Sequence, residues 1–268
     1  MVGNPISQEI TGWENKLKLH ASNDFERLYH NWQHQAFNHL DKNRKEEWFR
    51  KMDDLLFHSH AYLQGSAFQR ESRERLIAQA RIFHPEILVI EDMQVLSVEQ
   101  STHLALQEMA RGQLYAMAQG GAAGTGGIFL LAFDFPVQLV MNLRLVQLIA
   151  MAFGREIRRP VEMMLSLKVF HAATLPKSLQ WNAWQVLLEE TKDATGYVYE
   201  GSDMLVDEKW LRYPLKQAAK SLFILSAKRK IVQGIPLLGM TTGAALNYRL
   251  SKRVGEFALR YYQKRCPS

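Results

Sequence analysis

The stretch from residue 120 to 153 constrains the fold of this chain more than any other part of the sequence. It opens with five glycines among eight residues and continues as an apolar run in which only Asp134 and Arg144 are charged. A helix formed by such a run has no polar face wide enough to face solvent. The segment must therefore be buried by other parts of the protein or lie against lipid.

Small residues recur at a spacing of four in this stretch and again near the C-terminus. Gly120 and Gly124 form one such pair, and Gly239 and Gly243 form another. On a helix these pairs make a flat strip that a second backbone can approach closely. The residues assigned to this structural motif, with the neighbouring side chains that define its helices, are Gly120, Gly121, Gly124, Gly126, Gly127, Asp134, Pro136, Arg144, Gly239 and Gly243.

The glycines do not match a nucleotide-binding loop. A Walker loop requires Lys followed by Ser or Thr after its last glycine, whereas Gly127 is followed by Ile128 and Phe129. A dinucleotide fingerprint follows a strand, and the residues before Gly120 have a helical pattern. The sequence therefore predicts no cofactor.

Helical spacing recurs along the chain, whereas alternating strand patterns do not. Ser97 is predicted to begin a helix that ends near Gln119, at the glycines. Pro136 is placed in the first turn of the next helix, with Asp134 or Phe135 just outside it and Gly154 as its C-terminal cap. These patterns predict an all-α, multi-helix bundle with a Gly-rich helical hairpin in the core.

The other helices and the domain boundary follow from turn residues. A helix is predicted to stop at His84, because Pro85 disfavours the helical conformation of the residue before it. We divide the chain into an N-terminal helical region, 1–95, of unknown role and a helical domain, 96–268. The remaining helices are predicted over residues 160–174, 178–195, 205–230 and 244–264, the last two flanking the glycine-rich segment 234–243.

Positive charge is concentrated in the last quarter of the chain. Residues 209–265 contain thirteen Lys or Arg and one acid, Glu256, although the whole chain has a net charge of only +6. Apolar residues such as Leu250, Val254 and Phe257, with Ala258 and Tyr261, adjoin the last basic stripe, a pattern typical of a helix on an anionic membrane. Aromatic residues are not interleaved with the bases, which favours lipid over nucleic acid. The residues predicted to bind membrane are Lys209, Arg212, Lys216, Lys220, Lys228, Arg229, Lys230, Arg249, Arg253, Arg260 and Lys264.

No complete catalytic site is evident. His30 and His34 are four residues apart and His39 follows, so they could share a metal on one helix, but no Glu completes a metalloprotease motif. Surface or packed histidines explain this pattern better. The single cysteine, Cys266, lies in a segment expected to fray, so no nucleophile is identified. A metal-dependent hydrolase and a nucleic-acid binder stay open as alternatives to a membrane-associated protein.

Three blocks of the sequence resemble the EcsC family, bacterial proteins named for a member encoded beside an ABC-transporter pair. They are residues 120–136, the apolar continuation 137–154 with Arg144, and residues 235–247 with their Pro, Gly, Gly and Asn. The resemblance covers about residues 95–265 and carries no catalytic residues across. Family members usually have Gly-Tyr-Asp after the long apolar helix, whereas Gly154 here is followed by Arg155 and Glu156.

The resemblance implies a cytoplasmic-side bacterial protein linked to the membrane. The N-terminus lacks the basic and apolar segments of a secretory signal, and one cysteine suits a reducing compartment. We therefore expect a non-enzymatic, cytoplasmic protein that associates peripherally with the inner membrane face or with a membrane protein such as a transporter.

Overall fold

The protein is built from α-helices. The computed structural model describes residues 5–21, 67–125, 127–194 and 236–266, and these ranges contain seven α-helices, a short 3₁₀ helix at Glu91–Val95 and no strand. The predicted all-α fold is confirmed. The helices are α1 (Pro5–Lys18), α2 (Ala67–Ala80), α3 (Val98–Thr125), α4 (Gly127–Ala152), α5 (Pro160–Thr174), α6 (Lys177–Ala194) and α7 (Pro236–Lys264). None of these helices is both long and apolar enough to cross a membrane.

Three long helices, α3, α4 and α7, form the centre of the fold. The first two make a helical hairpin whose apex is glycine-rich, as predicted, because α3 ends at Thr125 and α4 begins at Gly127. The main partner of α7 is α3, and the two helices are antiparallel. Gly255 of α7 lies against Met109 of α3, and Gln263, two turns later, donates a hydrogen bond of 2.9 Å to Thr102.

The antiparallel register brings the two glycine-rich segments of the sequence to the same end of the bundle. At a rise of about 1.5 Å per residue, continuing the pairing of Gly255 with Met109 toward the start of α7 reaches the level of the hairpin apex. Gly239 and Gly243 of α7 therefore lie near the level of Gly121 and Thr125 of α3.

The core is formed by the second half of α4 together with buried residues of α2, α3, α5, α6 and α7. Leu145, Val146 and Ile149 of α4 are at most 2% exposed. Trp184 of α6 and Phe257 of α7 are also fully buried, and Trp13 of α1 packs edge-on against both rings. The N-terminal helix is thus anchored to the same core, and the domain boundary at residue 95 stays a prediction.

Local sequence signals set both ends of the hairpin as predicted. At the start of α3, the backbone N–H of Gln100 donates to the Ser97 hydroxyl at 3.2 Å, and the backbone N–H of Ser97 donates to the Gln100 side chain at 2.8 Å. This reciprocal pair is a capping box. At the end of α4, Gly154 has a φ of +70°. The N–H of Arg155 donates to the carbonyl of Ala150, which completes a Schellman cap.

Three predicted boundaries are wrong. The helix expected to end near Gln119 continues to Thr125, and α4 begins at Gly127, so Pro136 lies inside α4 and Asp134 does not precede it. An interior proline costs one hydrogen bond and bends a helix, but a long packed helix tolerates that loss. The C-terminal helix begins at Pro236 and includes the segment expected to precede it. In each case a neighbouring long helix overrides the weak intrinsic helix propensity of glycine.

Candidate anion-binding site

A buried carboxylate on α3 organises a cluster of arginines between α2, α3 and α4. The Glu108 side chain is 1% exposed. Arg75 of α2 donates to it at 2.9 Å, and Arg111, one turn further along α3, donates to its other oxygen. The two arginine side chains are 34% and 39% exposed, so each links the buried carboxylate to the surface.

A third arginine enters the cluster from the apolar helix α4. Arg144 is 4% exposed and donates to the Ser72 hydroxyl of α2 at 2.6 Å. Arg75 donates to the same hydroxyl at 3.1 Å. Ser72 is thus a hydrogen-bond partner that another helix supplies to the buried Arg144.

The guanidinium group of Arg144 stays charged although it is buried. Burial lowers the pKa of Arg144 to about 10, the nearby Glu108 carboxylate opposes that fall, and Arg75 adds to it. Arg144 is therefore still protonated at neutral pH. Among the described residues, three guanidinium groups thus lie around one buried carboxylate.

The arginines line a small cleft between α3 and α4. Its volume is about 30 Å³, and Tyr115 and Leu145 form part of its wall. A volume of about 10–15 Å³ holds one water, so the cleft admits roughly two waters or a few oxygen atoms of a larger group. Gly112 lets the walls approach, because a Cβ atom there would lie 3.1 Å from Leu145.

An apolar stripe on the exposed face of α3 begins below the cleft and runs toward the hairpin apex. Leu114 is 67% exposed and Met117 is 44% exposed. Val137, on the second helix of the hairpin, is also exposed. The α3 stripe consists of Leu106, Ala110, Leu114, Met117 and Ala118, whose spacing of three and four places them on one face. An exposed helix face is normally polar, so this stripe is unusual for a surface.

Most of the residues predicted to bind membrane lie outside the described ranges. Arg249 of α7 is exposed and Arg253 is partly buried. Arg260 donates to Glu9 at 2.8 Å and Lys264 donates to Glu14 at 3.2 Å. Acidic side chains of α1 therefore neutralise part of the positive charge of this set. The residues that lie outside the described ranges are Lys209, Arg212, Lys216, Lys220, Lys228, Arg229 and Lys230. Membrane binding by this basic set stays a prediction.

The apolar side of α7 packs inside the protein. Five residues that the sequence analysis assigned to a membrane-facing amphipathic helix are at most 6% exposed and contact the core. The prediction that this apolar side of the helix faces a membrane is therefore wrong. An amphipathic helix has the same periodicity whether its apolar face contacts lipid or protein, so the sequence could not distinguish the two. The residues are Leu250, Val254, Phe257, Ala258 and Tyr261.

The other candidate sites gain no support. His30, His34 and His39 lie outside the described ranges, as does Gly126. Within those ranges, no group of three His, Cys, Asp or Glu side chains is placed to hold a metal ion. Cys266, expected in a frayed tail, is partly buried against the core, and burial raises the pKa of its thiol.

The sequence analysis identified Arg144 but missed the rest of the cluster. Glu108 and Arg111 are three residues apart and share a helix face, which is a usable but common signal. Arg75 lies 33 residues before Glu108, and only the packing of α2 against the hairpin brings them together. Position Glu156, where the usual family pattern has an aspartate, also holds an acid, which accepts hydrogen bonds from Arg73.

The fold and the site together define a helical protein with a glycine-rich hairpin and a cationic cleft. The model of the EcsC protein family matches residues 5–266, so the chain belongs to the EcsC family and the match includes the N-terminal region. The chain is 25% identical over 232 residues to Uncharacterized protein YdbA of Bacillus subtilis (strain 168), covering 85% of this chain and 82% of that protein. It is 23% identical over 192 residues to Protein EcsC of the same organism, covering 65% and 67%. No solved structure matches the chain significantly.

Proposed function

We propose that this EcsC family protein is a non-enzymatic protein that associates peripherally with an anionic membrane surface on the cytoplasmic side. The observation that carries the proposal is the exposed apolar stripe of α3, with Leu114 at 67% exposure. A contiguous apolar patch on a protein surface usually marks a site of protein or membrane contact.

The stripe follows α3 along the hairpin. It runs toward the apex of the hairpin, and the sequence of the adjoining residues 128–133 is Ile-Phe-Leu-Leu-Ala-Phe. Burying one leucine side chain contributes about 1.5–3 kcal/mol. Several such residues at one end of the molecule would sustain shallow insertion without a membrane-spanning helix.

Charge supports an anionic membrane over a neutral one. Three arginines and one glutamate line the cleft next to the stripe, and residues 209–230 of the sequence contain seven Lys or Arg. Each basic residue near an anionic surface contributes about 1 kcal/mol. The combination favours peripheral binding that weakens as salt is added.

Co-sedimentation with vesicles tests the proposal. The protein is expected to pellet with anionic vesicles at low salt, less at high salt, and little with neutral vesicles. Leu114→Ser should weaken binding about tenfold, because it removes apolar surface from the stripe. Leu88→Ser is the matched control, since Leu88 is 65% exposed and lies in the segment before the start of α3.

Two results would contradict the proposed mode of membrane association. One is equal recovery of the protein on neutral and anionic vesicles. The other is equal vesicle binding by the Leu114→Ser and Leu88→Ser variants, which would show that the α3 stripe does not contact the membrane. If the protein bound membranes only when a membrane protein is present, its partner would be that membrane protein and not the lipid.

A further inference from the structure

The exposed face of α3 that carries the stripe is nearly symmetric about Ala110. Leu106 lies four residues before Ala110 and Leu114 lies four residues after it. Gln107 and Gln113 lie three residues before and after it. At 3.6 residues per turn, all five positions fall within about 120° around the helix. The face therefore presents the same order of side chains whether it is followed from its N-terminal or its C-terminal end.

This face has an apolar centre and a polar rim. Leu106 is 48% exposed, Leu114 is 67% exposed, and Ala110 between them is also exposed. Gln107 and Gln113 are partly buried beside them. Gln79 of α2 donates to the Gln107 side chain at 2.7 Å, which holds that rim in place. An apolar centre inside a polar rim is the usual anatomy of a protein–protein interface.

We propose that this face of α3 binds the same face of a second copy of the chain, with the two α3 helices antiparallel and a two-fold axis at Ala110. In an isologous contact of this kind the same patch is used on both copies, so the patch must complement itself. Leu106 of each copy then lies level with Leu114 of the other. The symmetry of the face favours a second copy over an unrelated partner, because an unrelated partner would make no use of it.

The alanine at the centre allows the two helices to approach closely. Packed helices lie about 8–10 Å apart, at a distance that depends on the side chains at the contact. Because a Cα atom lies about 2.3 Å from the helix axis, the two Ala110 Cα atoms would be roughly 5 Å apart at the wider end of that range. A long side chain at position 110 would hold the helices apart, whereas alanine does not.

The size of the face sets the strength of the dimer. The face from residue 103 to residue 117 is about 20 Å long and about 10 Å wide, so each copy contributes roughly 200 Å². Stable dimers bury about 800 Å² on each partner. The α3 pair alone therefore predicts a weak dimer, with a Kd on the order of 100 μM, that exchanges with monomer.

Cysteine cross-linking of the full chain tests the register. Ala110→Cys is expected to form disulfide-linked dimers under mild oxidation, because its two copies face each other at the axis. Leu106→Cys alone should not, since its two copies are eight residues apart, about 12 Å, and a disulfide spans Cα atoms no more than about 7 Å apart. A mixture of the Leu106→Cys and Leu114→Cys variants should form the mixed dimer. The unchanged protein measures any contribution from Cys266.

Sedimentation equilibrium tests the dimer without oxidation. Ala110→Lys places two like charges against each other and should weaken dimerisation at least about tenfold. Ala78→Lys is the matched control, because Ala78 is exposed on α2 and the substitution is the same. It should dimerise like the unchanged protein.

Three outcomes would overturn the inference. The first is an unchanged protein that stays monomeric at about 1 mM, ten times the expected Kd. The second is equal dimerisation by Ala110→Lys and Ala78→Lys, which would place the contact on another surface. The third is self-linking of Leu106→Cys as efficient as that of Ala110→Cys, which would exclude the antiparallel register.

The dimer goes beyond the proposed function and has a consequence for it, since both use Leu114. Oxidised Ala110→Cys dimers are expected to bind anionic vesicles about tenfold less than the same protein after reduction. Equal binding would overturn the claim that the dimer covers the membrane-binding surface. The two proposals fail separately: a monomer that binds vesicles through Leu114 removes only the dimer, and a dimer that binds no vesicles removes only the membrane function.

Discussion

Replacing Gly154 with alanine is expected to destabilise the protein by about 2–5 kcal/mol. Gly154 caps α4 with a φ of +70°, and this left-handed conformation costs a residue with a Cβ atom about 1–2 kcal/mol. A Cβ atom would also lie 2.6 Å from Cγ and 2.7 Å from the backbone nitrogen of Gln94. Because the second atom belongs to the backbone, rotating the Gln94 side chain cannot relieve the overlap, and overpacking of this kind costs about 1–3 kcal/mol.

Gly12 offers a matched control of opposite sign. It lies in the exposed middle of α1, and a Cβ atom there would have nothing within 4 Å. Gly12→Ala should therefore stabilise the protein by up to about 1 kcal/mol through helix propensity alone. The two substitutions add the same methyl group, so the difference between them measures the conformation and surroundings of Gly154.

Urea unfolding followed by circular dichroism measures both effects, and thermal unfolding checks them. A loss of about 3 kcal/mol corresponds to a melting temperature lower by roughly 6–12 °C for a chain of this size. Gly154→Asn separates the cost of the positive φ from the cost of the overlap with Gln94, because asparagine tolerates positive φ but has a Cβ atom. A change of less than about 0.5 kcal/mol in Gly154→Ala would refute the reasoning, since surface substitutions without such constraints fall in that range.

Two further predictions concern titratable groups near the end of α4 and the C-terminus. Burial alone would raise the pKa of Glu156, but the hydrogen bonds from Arg73 and from the backbone N–H of Arg158 outweigh it and lower that pKa below its ordinary value of 4.5. The stability from this group is thus present above pH 4.5 and lost below it, so Glu156→Gln should lower stability at neutral pH and flatten its acid dependence in urea titrations. Burial raises the pKa of the Cys266 thiol, so a thiol reagent should label the native protein more slowly than the urea-unfolded protein, and equal rates would contradict the burial.

Local signals account for the parts of the fold that the sequence predicted. Ser97 and Gly154 mark helix ends through groups a few residues away, so neither requires knowledge of the tertiary structure. The prediction that α4 begins near Pro136 is wrong, because α4 begins at Gly127 and contains Pro136. The preference of proline for a first turn does not set the start of this long hairpin helix. Packing against a neighbouring long helix explains the early start of α7 at Pro236, whose glycines are helical beside the hairpin apex.

The candidate site was harder to predict than the fold. Arg144 was noticeable because a charge interrupts an apolar run, and an unusual residue is visible in a single sequence. Arg75 and Glu108 belong to polar helix faces on which charged residues are ordinary, so their meaning comes only from the contact between them. The α3 stripe was missed for the opposite reason: an apolar helix face predicts burial, and only the structure reveals that it is exposed.

The buried polar groups of α4 are a cost to the stability of the protein. Gln138, Asn142, Arg144 and Gln147 are all at most 4% exposed in a helix that is otherwise apolar. Well-packed apolar residues in place of buried ionic groups are often neutral or stabilising by about 1–4 kcal/mol. The lowered pKa of Arg144, caused first by burial and then by repulsion from Arg75, reflects that cost to the isolated fold. The Glu108 carboxylate opposes that fall, so removing Glu108 while Arg144 remains would leave a buried charge with less compensation and would destabilise the fold.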